Sequence, residues 1–314
     1  MPPRIVIICG PTATGKTQLG VALAKALDGE VVSADSMQVY RHMAIGTARP
    51  TSEEMEGVPH HMMAVAEPEE AFSVARYVAE ATPVVDDILA RGKVPLIVGG
   101  TGLYIDALRR GQTFSAFRPE SGVRERLQEQ ARNGELPRLF RELEAIDPEA
   151  AARLHPNDEK RILRALEVWY ETGETISEHD RRTRDLPPRY DGVTLALTYR
   201  DRAALYARID RRVDRMMAAG LAGEVQALLD RGVPPDCTAM QAIGYKELAP
   251  AILSGGDLSA AAEEIKLRSR QYAKRQLTWF RRDKSAHWLE LDDPPDFSAV
   301  LRDSTEYLRQ RGVR

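Results

Sequence analysis

The chain has 314 residues, 43% of them hydrophobic and 29% charged, which fits an ordinary globular protein and excludes a disordered or fibrous one. A net charge of −3 gives no global attraction to nucleic acid, so any such contact must come from a local patch. Two cysteines, Cys9 and Cys237, exclude a disulfide framework and fit a reducing cytoplasm, and no apolar run approaches a membrane span.

The N-terminus leads straight into a strand, with no signal-peptide pattern. Ile5 to Cys9 is an apolar, β-branched run, and it stops at Gly10-Pro11-Thr12-Ala13-Thr14-Gly15-Lys16-Thr17. That stretch fits G-x-x-x-x-G-K-[ST], a loop whose backbone N–H groups cradle phosphates. Lys16 adds a mobile charge, and the Thr17 hydroxyl suits Mg²⁺. Leu19, Leu23, Ala26 and Leu27 have helical spacing behind the loop. A second strand, 30–35, ends in Asp35. Strand, helix and strand at this spacing make a βαβ unit, hence a parallel sheet with ligands at the carboxyl ends of its strands. Ser36-Met37-Gln38 follows at that edge, then a loop with a basic tip at Arg49, then Pro59-His60-His61. The spacing predicts a helix over 72–90 and a buried strand over 94–98, which closes on Gly99-Gly100-Thr101. From about Ser115 to Arg189 the chain is charged and helical, with a helix over 159–172 and a basic, proline-stopped linker over 181–189. Strands return at 193–198 and 288–291. The organisation expected is an α/β P-loop core of residues 1–114 and 193–314, a parallel sheet flanked by helices, with a helical insertion over 115–192.

Several constellations suggest chemistry. Asp35, at a strand end beside the phosphate loop, reads as a general base or an outer magnesium partner, and alternatively as a helix cap. Thr101, between glycines, offers its hydroxyl to a ligand or caps the next helix. Arg208 and Arg212 share a helix face suited to a diphosphate, although pairing with Asp210 and Asp214 is the ordinary outcome. Between 265 and 284 eight basic residues face one acid, Asp283, with Tyr272, Trp279 and Phe280 interleaved. Lys266, Arg270 and Lys274 form a stripe there, the footprint expected for RNA or DNA. His60, His61 and His155 lack partners at metal-ligand spacing, so no zinc site is expected. The strand over 94–98 ends in glycines rather than an acid, so an NTP-hydrolysis cycle is not expected. Two readings stay open: a small-metabolite kinase with Asp35 as base, or a transferase that holds a different diphosphate.

Taken together, residues 10–17, 34–41, 45–50, 59–61, 98–104, 155–158, 160–168, 209–216, 241–248 and 270–281 resemble, in order and over nearly the whole length, the bacterial tRNA dimethylallyltransferases, also called tRNA isopentenyltransferases. The resemblance implies transfer of a dimethylallyl group from dimethylallyl diphosphate to the exocyclic amine of the adenine 3′ of the anticodon, by a cytoplasmic monomer. It implies that the loop 10–17 holds the diphosphate with Lys16, Arg212, Thr12 and Thr17, the last toward Mg²⁺. Asp35 would take the amine proton, and Thr101 would lie near the bridging oxygen of the leaving group. The implied tRNA contacts are Asp35, Ser36, Met37, Gln38 and Thr101; Arg124, Lys160, Arg161, Ile162, Leu163 and Arg164; Gln241, Ala242, Ile243, Gly244, Tyr245 and Lys246; and Lys274, Arg275 and Gln276. The insertion would grip the anticodon stem-loop.

Overall fold

A computed structural model describes residues 2–112, 122–184 and 187–313, with 183 and 184 described by backbone alone. The expected insertion start at Ser115, and residues 185–186 of the linker, lie outside the described residues.

Six strands form one parallel sheet: β1 Arg4–Cys9, β2 Gly29–Ser33, β3 His60–His61, β4 Val94–Gly99, β5 Asp191–Tyr199 and β6 His287–Leu291. Their order is β3-β2-β4-β1-β5-β6. Ile7 sits beside Ile97 on one side and Thr194 on the other. The strands are continuous apolar runs because helices cover both faces of the sheet. β1 to β2 and β4 runs one way across the sheet, and β5 and β6 the other. The loop after β1 therefore lies at the switch point, where α/β sheets place ligands.

Three local expectations shift. β3, two residues at the sheet edge, was not foreseen, because His60-His61 is too short to show alternation. The helix expected over 72–90 runs Val74–Ala90, since the Ser73 hydroxyl accepts from Arg76 N and caps it there. β5 begins at Asp191, whose carboxylate holds Arg4 at 2.8 Å, so the core resumes at 188 and not 193.

The chain divides into two units, 1–111 with 188–314, and 112–187. The first is built on the sheet, with Val6, Ile8, Leu19, Leu96, Leu195 and Leu289 in its core. The second, in its described part, is helical: Val123–Arg132, Leu136–Ile146, Glu159–Thr172 and Ile176–Arg184 are its longer helices. It has its own core of Leu127, Leu139, Leu143, Ile162 and Leu166. Among the described residues no helix is long and apolar enough to cross a membrane.

Candidate active site

The phosphate loop is shaped by its backbone. Gly10 has φ of +138°, and a Cβ there would lie 2.4 Å from the Leu197 carbonyl oxygen, so the chain leaves β1 in this direction only as glycine. The buried Thr14 donates its hydroxyl to the Pro11 carbonyl at 2.9 Å, and Lys16 Nζ donates to the same oxygen at 2.7 Å. Lys16 is thus folded across the loop. The helix Lys16–Ala26 starts behind it with Gly15 left-handed at the cap position and no side-chain cap, leaving its first N–H groups to an anion.

The neighbouring strand ends are stitched to this loop. Thr101 N donates to Ala34 O at 3.1 Å, and Thr101 Oγ1 accepts from Ser36 N at 3.0 Å. Its hydroxyl therefore serves the segment after β2 and does not cap the helix Gly102–Arg110. Asp35 Oδ1 accepts from Met37 N at 2.9 Å and Gln38 N at 3.4 Å. Among the described residues its other oxygen has no hydrogen bond, so the turn occupies one oxygen of the carboxylate and leaves the second. The Gln38 amide donates to Thr47 O and Ala48 O, both at 3.3 Å.

Gln276 was expected at an RNA surface. It is instead 5% exposed, on the helix Leu258–Phe280. Its Oε1 accepts from Thr12 N at 3.0 Å and its Nε2 donates to Gly100 O at 3.0 Å. A Cβ on Gly100 would lie 2.2 Å from that Nε2. One glutamine thereby fixes the phosphate loop to the turn after β4. Gln276→Ala is expected to cost about 1–3 kcal/mol, because two partially or fully buried groups lose their partner; urea unfolding at unchanged m-value checks it.

Charge gathers at the same place. Burial, then the Arg212 cation, lower the Lys16 pKa to about 8, and the Asp35 charge opposes them. Burial also lowers the Arg212 pKa, again opposed by Asp35. Tyr272 is pushed up to about 12, first by burial and then by Asp35. Lys16, Arg212 and Tyr272 thus each feel the charge of Asp35.

Arg208 and Arg212 part company. Arg208 pairs with Asp293 at 3.2 Å and lies over the Tyr199 ring at 5.3 Å. Arg212 is half-buried and, among the described residues, has no ion pair. The pairing considered with Asp210 and Asp214 does not occur. Those acids hold Arg270 at 2.6 Å and Lys266 at 2.7 Å, so the first two members of the basic stripe tie two helices together.

Other expected contacts separate by burial. In the second unit, Lys160 and Arg161 are exposed and Arg164 pairs with Glu167 at 2.7 Å. Ile162 and Leu163 are buried in that unit's core, at 0% and 9% exposure, so their side chains do not face solvent. Arg124 lies 3.9 Å from Glu167. In the first unit, Gln241 and Lys246 are exposed and Ile243 is half-buried, whereas Ala242, Gly244 and Tyr245 are buried. Tyr245 donates its hydroxyl to Glu224 at 2.5 Å. Lys274 and Arg275 are exposed. His61 bonds Glu30 at 2.8 Å, His60 bonds the Val58 carbonyl at 2.8 Å, and His155 Nδ1 accepts from Asn157 N at 3.1 Å. Cys9 is buried in β1, and burial pushes its thiol pKa up.

Glu224 gave no sequence signal. It is one acid on an amphipathic helix, yet its carboxylate accepts from Ala44 N, Ile45 N and Gly46 N at 2.8, 2.8 and 3.1 Å. Tyr272 was visible only as one aromatic among basic residues.

Fold and site together define a P-loop α/β protein whose phosphate cradle is coupled to a carboxylate and a second cation, with a glycine turn where a hydrolytic acid would stand after β4. Two family descriptions match the chain: IPP transferase over residues 38–283, and isopentenyl transferase over 3–65. The tRNA dimethylallyltransferase of Desulforudis audaxviator is 49% identical over 93% of this chain and 94% of its own. That of Geobacillus thermodenitrificans is 47% identical over 98% and 97%. The crystal structure of the tRNA isopentenylpyrophosphate transferase of Bacillus halodurans superposes with a TM-score of 0.73 at 42% identity, covering 98% of this chain and 96% of that one. A eukaryotic dimethylallyltransferase acting on tRNA superposes with a TM-score of 0.80 at 29% identity, covering 98% and 80%. The chain belongs to the IPP transferase family.

Proposed function

We infer that the chain transfers a dimethylallyl group from dimethylallyl diphosphate to the exocyclic amine of the adenine 3′ of the anticodon in tRNA, releasing diphosphate. The observation that supports this most is geometric: Lys16 lies folded across the phosphate loop, and Thr101 stitches the turn after β4 to the segment that carries Asp35, which sets a cation cradle and a carboxylate at one sheet edge. The allylic C–O bond breaks as the N–C bond forms, and negative charge grows on the departing diphosphate. Lys16, Arg212 and the loop N–H groups stabilise that charge. The adenine amine is a weak nucleophile, and Asp35 takes its proton. The base must leave its stack to reach these groups. Thr101 sets the segment 35–38 that carries Asp35, since its hydroxyl accepts from Ser36 N, and in the proposed reaction that hydroxyl would serve the bridging oxygen of the leaving group.

Mg²⁺ fits this site in a limited way. Among the described residues no three acids, histidines or cysteines gather, so the protein offers the Thr17 hydroxyl and little else. A Mg²⁺ ion keeps several waters and takes substrate phosphate oxygens, which suits one hydroxyl beside a diphosphate. When bound it would neutralise the leaving group further.

Recognition of the tRNA anticodon stem-loop falls to the exposed Lys160, Arg161, Gln241, Lys246, Lys274 and Arg275, with Arg124, Arg164 and Ile243 beside them. Buried Ile162, Leu163, Ala242, Gly244, Tyr245 and Gln276 hold these in place. Ser36, Met37 and Gln38 contact the flipped base. The enzyme acts as a cytoplasmic monomer. Incubating unmodified tRNA with enzyme, dimethylallyl diphosphate and Mg²⁺ should add one dimethylallyl mass to the nucleoside 3′ of the anticodon; no mass gain defeats the reading.

Glu224 serves the same recognition indirectly. It anchors the loop 44–46, which continues into the segment held by Gln38. Glu224→Ala is expected to raise the tRNA KM by about tenfold, because four donors lose their acceptor and the loop loosens. The donor KM should stay put, and steady-state kinetics in each substrate separates the two.

A further inference from the structure

The helix Leu258–Phe280 presents one row of side chains to the turn that follows β4. Tyr272, Gln276 and Trp279 are spaced by four and then three residues, so they stand one above another along it. Two of them press on glycines. A Cβ on Gly100 would lie 2.2 Å from Gln276 Nε2, and one on Gly102 would lie 2.2 Å from Trp279 Cδ1. Trp279 Nε1 also donates to Asp106 at 2.9 Å, on the helix Gly102–Arg110. The residue between those glycines is Thr101. The hydroxyl of the half-buried Tyr272 reaches it, in hydrogen-bond contact with the Thr101 and Gln276 side chains. The reaction above gives Tyr272 no part.

The Thr101 hydroxyl has one proton to give and two lone pairs to fill. Ser36 N fills one lone pair at 3.0 Å. The proton reaches Ser36 Oγ at 3.3 Å, longer than the usual bond between hydroxyls. It is held weakly and is free to turn to a better acceptor. Rotation about the Cβ–Oγ bond exchanges the proton with the second lone pair. A donor seated in that lone pair stops the exchange and leaves the proton a single direction.

We propose that Tyr272 is a positioning residue for Thr101. Its hydroxyl donates into the second lone pair of Thr101 Oγ1, which turns the Thr101 proton toward the bridging oxygen of the departing diphosphate. This rests on the proposed reaction and adds how its threonine is made a donor. No proton changes owner. As the allylic C–O bond breaks, its electron pair stays on that oxygen, and Thr101 hydrogen-bonds the growing charge. Two hydroxyls in series polarise each other, which strengthens the final bond. The bridging oxygen carries little charge in the intact donor and much more in free diphosphate. The tyrosine should therefore matter to turnover and to diphosphate binding, and little to the donor KM.

A double-mutant cycle on the full chain tests this, read by kcat and by calorimetric titration with inorganic pyrophosphate. Tyr272→Phe is expected to lower kcat about fivefold and to weaken pyrophosphate binding by a similar factor, with the KM for donor and for tRNA each within about twofold. Thr101→Val should lose more. Adding Tyr272→Phe to it should cost nothing further in either readout, because the tyrosine acts through that hydroxyl. Wild-type kcat and pyrophosphate affinity in Tyr272→Phe overturn the proposal. So does the same loss in the Thr101→Val background, or a loss confined to either KM. Should Tyr272→Phe not fold, 3-fluorotyrosine at position 272 keeps the ring and makes its hydroxyl a stronger donor. Tighter pyrophosphate binding then supports the proposal, and unchanged or weaker binding overturns it. If the wild-type chain transfers no dimethylallyl group, the reaction itself fails, and the pyrophosphate arm of the cycle still decides whether Tyr272 acts through Thr101.

Discussion

Asp35→Asn is expected to lower prenyl transfer by about 10²-fold or more, while tRNA affinity changes only modestly. The asparagine keeps an oxygen for Met37 N and Gln38 N, so the turn that follows β2 stays formed. What it loses is the proton-accepting charge of the oxygen that has no partner among the described residues. Asp35→Ala removes both functions and should match the asparagine variant in turnover while also loosening the segment 35–38. Single-turnover rates at saturating substrates, read beside RNA binding by each variant, check the claim. Wild-type-like turnover in Asp35→Asn would remove this carboxylate from the chemistry.

Lys16→Met should reduce turnover by about 10²–10³-fold, the usual loss when one preorganised donor to developing charge is removed. The donor KM should rise with it, because the same cation meets the ground-state diphosphate. The lysine also gives a pH signature. Burial and the Arg212 charge hold its folded pKa at about 8, below the ordinary lysine value of 10.5. Between those values the unfolded chain holds a proton that the free enzyme lacks, so the unliganded fold gains stability as pH rises through about 8 to 10.5. Donor affinity moves the other way. A bound diphosphate favours the charged lysine, so affinity is full below about pH 8 and declines above it, with proton uptake on binding. Calorimetry in buffers of different ionisation enthalpy should detect that uptake in the wild type. Lys16→Met should show none of it from this group.

The sheet and the phosphate loop were legible because they rest on local signals: β-branched runs, a glycine stop and helical spacing behind it. Asp35 and Thr101 were legible by position, at strand ends on the ligand side of a parallel sheet. Asp35 caps a turn and not the helix considered for it, because residues 36–39 form no helix and its Oδ1 accepts from Met37 N and Gln38 N. Arg212 could not be told from Arg208 by spacing; Asp293, far along the chain, claims Arg208. Ile162, Leu163 and Tyr245 sit in charged or polar stretches, yet their side chains fill cores, which sequence neighbours do not reveal. Gln276 and Glu224 were hidden for the opposite reason. Each is a polar residue on a helix, and its role appears only when backbone groups from a distant loop arrive beside it.

The chain departs for its second unit and returns at nearly the same point. Tyr190 N donates to Arg109 O at 3.1 Å, and a Cβ on Gly111 would stand 2.9 Å from that of Arg189. An excursion whose two ends already touch adds little to the entropy of closing the sheet around it; doubling its length would cost roughly 0.6 kcal/mol more. As far as the sheet is concerned, that detour can be lengthened or trimmed at little cost, leaving the register of β1 against β5 untouched.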